Sequence, residues 1–165
     1  MEGRTLRISQ EADTESIIKK FRQESAKPCF TPLEVGIHLT KAYQPQIEYD
    51  KAKMSSKPYC SLVGSLMYLT CGTRPDISIA VTQLSRFLEN PGQKPWDACI
   101  RVVRHLLRTN DVGITYDGRQ GTELVVYLDA DWAGNRDDRC SVSGLMLMMC
   151  GVAFDFPEDR RIEFY

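Results

Sequence analysis

Arg101, Arg104 and Arg108 recur at helical spacing in a stretch that reads as one helix, so they share a face of it. A row of arginines can contact a phosphate backbone. The same row also occurs as an ordinary solvated surface, and both readings stand at this point. Trp96, near the start of the same stretch, has no interleaved aromatic partners of the kind that base stacking uses and is assigned to the core. The remaining residues able to do chemistry are six cysteines (Cys29, Cys60, Cys71, Cys99, Cys140, Cys150) and the histidines His38 and His105. No two cysteines form a C-x-x-C pair, so a zinc finger is excluded. Their irregular spacing argues for reduced, buried thiols, not a disulfide framework. No metal or cofactor is expected.

Charge and hydropathy narrow the classes further. Twenty-one Lys and Arg face 22 Asp and Glu, for a net charge of -1, which gives no overall pull toward a polyanion. Nucleic acid is therefore a weak candidate partner. Residues 1–10 are polar and charged and carry no run of signal-peptide length. The longest apolar-rich window, residues 59–71, is interrupted by Ser61, Gly64, Ser65 and Thr70 and reads as a buried helix, so stable membrane insertion is not expected.

The elements that would position these residues follow from periodicity. Residues 4–9 suit a short strand. Residues 11–24 suit a helix with Ile17, Ile18 and Phe21 on one stripe, ended by Lys27-Pro28 and Thr31-Pro32. Residues 26–58 hold four prolines and read as a mostly irregular crossing. Pro58 opens a helix that Gly72 closes. After the turn Thr73-Arg74-Pro75-Asp76, a second helix carries Ile77, Ala80, Val81, Leu84, Phe87 and Leu88. A third carries Trp96, Ile100, Val103, Leu106 and Leu107 on one face. These three helices suggest a small bundle. Strand-like runs follow at residues 112–117, 124–129 and 141–150, with a turn over 118–122, a polar loop over 131–139 and a charged end from 154. The expectation is an α+β chain with the change of character near residue 111.

Four segments, in order, carry a resemblance: FRQESAKPCFTPL (21–33), KPYCSLVGSLMYLTCGTRPDISIAVTQLSRFLENP (57–91), PWDACIRVVRHLLRTNDVGITY (95–116) and YLDADWAGNRDDRCSVSGLML (127–147). Together they resemble the Pol polyprotein of copia-type retrotransposons, where the reverse transcriptase ends and ribonuclease H begins. The resemblance implies a helical segment like the reverse transcriptase thumb or connection over residues 26–110. It implies an incomplete ribonuclease H-like sheet over 111–165, with residues 1–25 as an N-terminal strand and helix. It also implies what these residues lack. No Tyr-x-Asp-Asp occurs, and two-metal phosphoryl transfer needs carboxylates that converge on both ions. Asp129 matches the first metal-binding acid of ribonuclease H, while Asp131, Asp137 and Asp138 match loop residues. The next acid of the family lies on a helix that the chain is expected not to reach. A lone carboxylate holds Mg²⁺ weakly, so Asp129 is read as vestigial and the chain as no enzyme.

A second resemblance rests on Arg4-Thr5-Leu6-Arg7, which is similar to the Arg-x-Leu-Arg motif of secreted RxLR effectors of oomycete plant pathogens. It implies secretion, delivery into the cytoplasm or nucleus of host plant cells, contact with host proteins and suppression of host defence or cell death. Two family features are absent from their usual places: a signal peptide before the motif and a Glu-Glu-Arg-like patch after it. Three readings remain open: a secreted effector, a nucleic-acid-binding or inert remnant of the polyprotein, and an enzyme subunit completed by a partner's acids.

Overall fold

The computed structural model describes residues 5–119, 123–131, 142–149 and 152–155. The chain is α+β and divides into two compact units. Residues 9–113 form a helical unit. The strands on either side of it in sequence form the other.

The helical unit begins with α1 (Glu11–Lys20), which buries Thr14, Ile17 and Ile18. It ends earlier than its apolar stripe predicts. Arg22 adopts a left-handed conformation (φ 55°), the Gln23 amide donates to Ile18 O and the Arg22 amide to Lys19 O. This Schellman closure stops the helix before either proline is reached. The crossing over 26–58 is less irregular than expected. It contains a 3-10 turn at Lys41–Tyr43 and an eight-residue helix, α2 (Glu48–Ser55). Helix α2 buries only Met54, so it has no apolar stripe to betray it. Its acids at the start and Lys53 at the end suit the helix dipole instead.

The core forms where α3 (Tyr59–Gly72), α4 (Ser78–Ser85) and α5 (Gln93–Arg108) meet α1. Leu62, Val63, Leu66, Leu69, Leu84, Val102, Val103 and Leu106 are fully buried there. Helix α4 is shorter than its apolar run. Pro75–Ile77 is a 3-10 turn, and Phe87 and Leu88 lie beyond the last α-helical residue, with Phe87 buried and Leu88 largely exposed. Helix α5 turns a slightly different face inward from the one expected. Val103 and Leu106 of the expected face are fully buried, Cys99 and Val102 join them and Ala98 is nearly so, while Trp96, Ile100 and Leu107 pack at the margins. The small side chains let neighbouring helices approach closely. Trp96 stacks at a tilt on Phe21, 6.5 Å between ring centres.

The strands pair differently from a run of sequential hairpins. β1 (Thr5–Ile8) and β2 (Ile114–Asp117) form a two-stranded antiparallel ribbon with Ile8 opposite Ile114. The turn expected to join 112–117 to 124–129 begins at Gly118-Arg119, where the Arg119 amide donates to Asp117 Oδ1. Residues 120–122 lie outside the described residues. β3 (Val125–Asp131), β4 (Val142–Met149) and β5 (Val152–Asp155) make a separate sheet in simple antiparallel order. β5 falls where only a charged end was expected. Most of the loop expected over 131–139 lies outside the described residues, but Asp131 itself belongs to β3.

Two glycines on the helical unit have opposite roles. A Cβ on Gly92, the residue before α5, would collide with the main-chain carbonyl of Tyr43, whereas one on Gly64, within α3, meets nothing within 4 Å. Gly92→Ala is expected to cost about 2 kcal/mol or more, and Gly64→Ala to stabilise by about 1 kcal/mol through helix propensity. Urea unfolding of both variants checks the opposite signs.

Candidate functional site

The residues singled out by sequence lie on separate elements, and several fall outside the described residues. Thr5, Leu6 and Arg7 lie on β1, paired in backbone register with Asp117, Tyr116 and Thr115, and Leu6 is 60% exposed. Arg4 lies outside the described residues. Asp129 sits within β3 opposite Gly144, and β3 runs two residues past it to Asp131. Asp137 and Asp138 lie outside the described residues. Among the described residues, no group of three or more His, Cys, Asp or Glu could hold a metal ion. No helix among them is long and apolar enough to cross a membrane. Cys29 and Cys99 are buried thiols, and burial pushes Cys99 well above the ordinary thiol range. Cys60 and Cys71 correct the expectation of buried thiols, since both are exposed on α3. Cys140 and Cys150 lie outside the described residues.

The arginine row on α5 is engaged within the chain. Arg101 reaches Glu34 Oε1 at 3.3 Å and Thr31 Oγ1 at 3.1 Å. Arg104 Nε donates to the Lys27 carbonyl at 2.7 Å, and the Arg104 carbonyl accepts from the Cys29 amide. The Arg108 guanidinium lies 3.9 Å from the centre of the Phe30 ring. The three side chains thus fasten the proline-containing segment 27–34 along α5. That arrangement is neither a bare solvated face nor an unoccupied phosphate track.

The most elaborate polar constellation is one that periodicity cannot see. Arg74, 1% exposed, closes the turn after α3. It grips Asp76 with two parallel bonds, Nε to Oδ1 at 2.8 Å and Nη2 to Oδ2 at 2.7 Å. Its Nη1 donates to the Thr109 carbonyl at 3.0 Å and its Nη2 to Thr109 Oγ1 at 2.6 Å. His105 Nε2 lies 3.3 Å from Asp76 Oδ2. Burial works to raise the Asp76 pKa, but hydrogen bonds and charge from Arg74 and His105 outweigh it and hold the carboxyl far below the usual range. The set contains a hydroxyl, an imidazole and a carboxylate but lacks the geometry of a nucleophilic triad. Thr109 Oγ1 donates to the main-chain carbonyl of His105, not to its ring. It is a clasp between the α3–α4 turn and the last turn of α5. The sequence signal that could have found it is the pairing of a buried Arg with an Asp two residues on, across a proline that fixes the turn.

Breaking the clasp should be costly. Arg74→Ala is expected to lose about 3 kcal/mol, at the low end for a broken buried pair because Asp76 keeps 38% exposure and can rehydrate. Arg74→Lys should not rescue it, since the two-pronged grip is lost. A depressed carboxylate contributes stability that is present above its unfolded pKa and lost as pH falls toward the folded value. Stability should therefore decline below about pH 4, and Asp76→Asn should flatten that decline. Urea titrations between acidic and neutral pH read both effects.

With this geometry in place, the relatives are informative. The chain is 40% identical over 154 residues to the retrovirus-related Pol polyprotein from transposon TNT 1-94 of Nicotiana tabacum, a match covering 93% of the chain and 12% of that protein. It is 35% identical over 146 residues to the Pol polyprotein from transposon RE2 of Arabidopsis thaliana, covering 87% of the chain and 9% of that protein. It is also 42% identical over 98 residues to secreted RxLR effector protein 161 of Plasmopara viticola, covering 59% of the chain and 69% of that protein. The chain thus spans a small part of the polyproteins it matches. No family model matches the chain, and no solved structure matches it.

Proposed function

Because the chain belongs to the copia-type retrotransposon Pol family, we propose that it is the non-catalytic passage from the end of the reverse transcriptase into the start of ribonuclease H. The observation that carries this reading is the identity over 154 residues, which runs through both the helical unit and the strands. On this reading the helical unit is the thumb- or connection-like part. β3, β4 and β5, antiparallel and consecutive, are the opening strands of a ribonuclease H-like sheet. The donor set supports the absence of catalysis. These 165 residues contain no Tyr-x-Asp-Asp. Asp129 lies on β3, and it is the one residue here that matches a metal-binding acid of ribonuclease H. A lone carboxylate does not strip Mg²⁺ of its water, so Asp129 by itself does not make a catalytic metal site. The role left to the segment is mechanical: it orders the chain between two catalytic modules.

The purified chain should neither extend a primer on an RNA template nor cut RNA in an RNA–DNA hybrid, with Mg²⁺ or Mn²⁺ supplied. Metal-dependent cleavage that vanishes in Asp129→Asn would overturn this reading.

A second reading is favoured by a specific observation, the 42% identity to a protein named as a secreted RxLR effector, together with Arg4-Thr5-Leu6-Arg7. On this reading the same fold, without chemistry of its own, acts through contacts with host plant proteins after delivery to the host cytoplasm or nucleus and dampens defence. Two arginines attract an anionic surface by only about 1 kcal/mol each, so delivery would depend on a receptor or a processing step. Expression inside plant cells should then reduce elicitor-triggered cell death, and Arg4→Ala with Arg7→Ala should leave that effect intact while reducing uptake from outside. Cell death that proceeds unchanged at verified protein levels leaves the polyprotein reading alone.

A further inference from the structure

We propose that the groove between α1 and α3 is a self-complementary interface through which two copies of this chain pair about a two-fold axis. The groove is open to solvent and has a volume of about 460 Å³, with Asp13, Ser16 and Lys20 of α1 along one wall and Ser61, Gly64 and Tyr68 of α3 along the other. Asp13 and Lys20 stand seven positions apart, so they lie on one face, about 10 Å from each other along the helix. Their charges are opposite. A second α1 laid across the groove end for end therefore sets Asp13 against Lys20 of the second copy and Lys20 against Asp13 of the second copy. This is the reciprocal pattern that a two-fold interface requires. That reciprocity is what selects a second copy over an unrelated helix.

Four further observations fit the same occupant. Lys20 Nζ is held at the groove by Ser61 Oγ, 2.9 Å away, which leaves ammonium donors for an incoming carboxylate. No cation pairs with Asp13 among the described residues. Gly64 lies in the middle of a helix, where glycine weakens the structure. The chain's own packing does not require it, because a Cβ there meets nothing within 4 Å. A second helix resting on that wall does require it. Tyr68, which lines the groove and is 61% exposed, supplies apolar contact there.

Two short helices per copy make a small interface, so the pairing is weak and depends on concentration. Sedimentation equilibrium from about 10 µM to about 500 µM should show a reversible monomer–dimer equilibrium. Asp13→Lys or Lys20→Asp alone sets like charges together twice and should weaken association about tenfold, while the double variant restores opposite pairs and should recover it to within about threefold. Gly64→Leu fills the groove and should abolish the dimer while thermal melting stays unchanged or rises. A chain that remains monomeric throughout the range overturns the proposal. So does a dimer indifferent to Asp13→Lys and Gly64→Leu, or a double variant that fails to recover.

Discussion

The geometry of the helical unit depends on the buried guanidinium of Arg74. A fully buried cation is tolerated only when its donors are met, and here all three nitrogens find acceptors on Asp76 and Thr109. The neighbouring residue extends the grip. Thr73 donates from both its amide and its hydroxyl to Gln10 Oε1, at 2.9 and 3.0 Å. One short turn therefore holds the residue before α1 and the residue after α5, the two points where the chain passes between helices and strands.

A second constraint acts along α5. Its inward face is built mainly from Ala98, Cys99, Val102, Val103 and Leu106, while its outward edge carries the three arginines that bind down segment 27–34. That segment adds to the core only the buried Cys29 and the partly buried Leu33, with Phe30 exposed. It is ordered mainly by hydrogen bonds to main-chain and side-chain acceptors and by one cation–ring contact. A basic helix surface in a chain with net charge -1 is thus used to organise the first part of the crossing, ahead of its 3-10 turn and α2.

What could be read from the sequence follows from which forces leave periodic marks. Helices α3 and α5 were legible because apolar burial repeats every three to four residues, and the α1 stripe of Ile17, Ile18 and Phe21 was legible for the same reason. Helix α2 was not, because one buried methionine makes no pattern. The end of α1 was misplaced because a left-handed arginine closed it, a conformation that residue type does not advertise. The pairing of β1 with β2 was missed because strand partners distant in sequence leave no local trace. Asp129 was legible as a candidate acid by its residue type and its place in the resemblance, but a metal site is a property of three dimensions. The clasp escaped for a related reason, since Arg74, Asp76, His105 and Thr109 come together only after two helices have packed.

The β1–β2 ribbon has a consequence for the chain as it is made. Ile8 and Ile114 are separated by roughly 100 residues, which a ribosome adds at about 5–20 residues per second. For about 5–20 s, β1 has emerged while its partner does not yet exist. Its alternating exposed Leu6 and Ile8 are open to any other strand edge during that interval. The helices between them have local contacts and can form meanwhile. Faithful pairing of the first strand is thus a race between translation and misassociation, and slower translation across α3 to α5 lengthens the exposure.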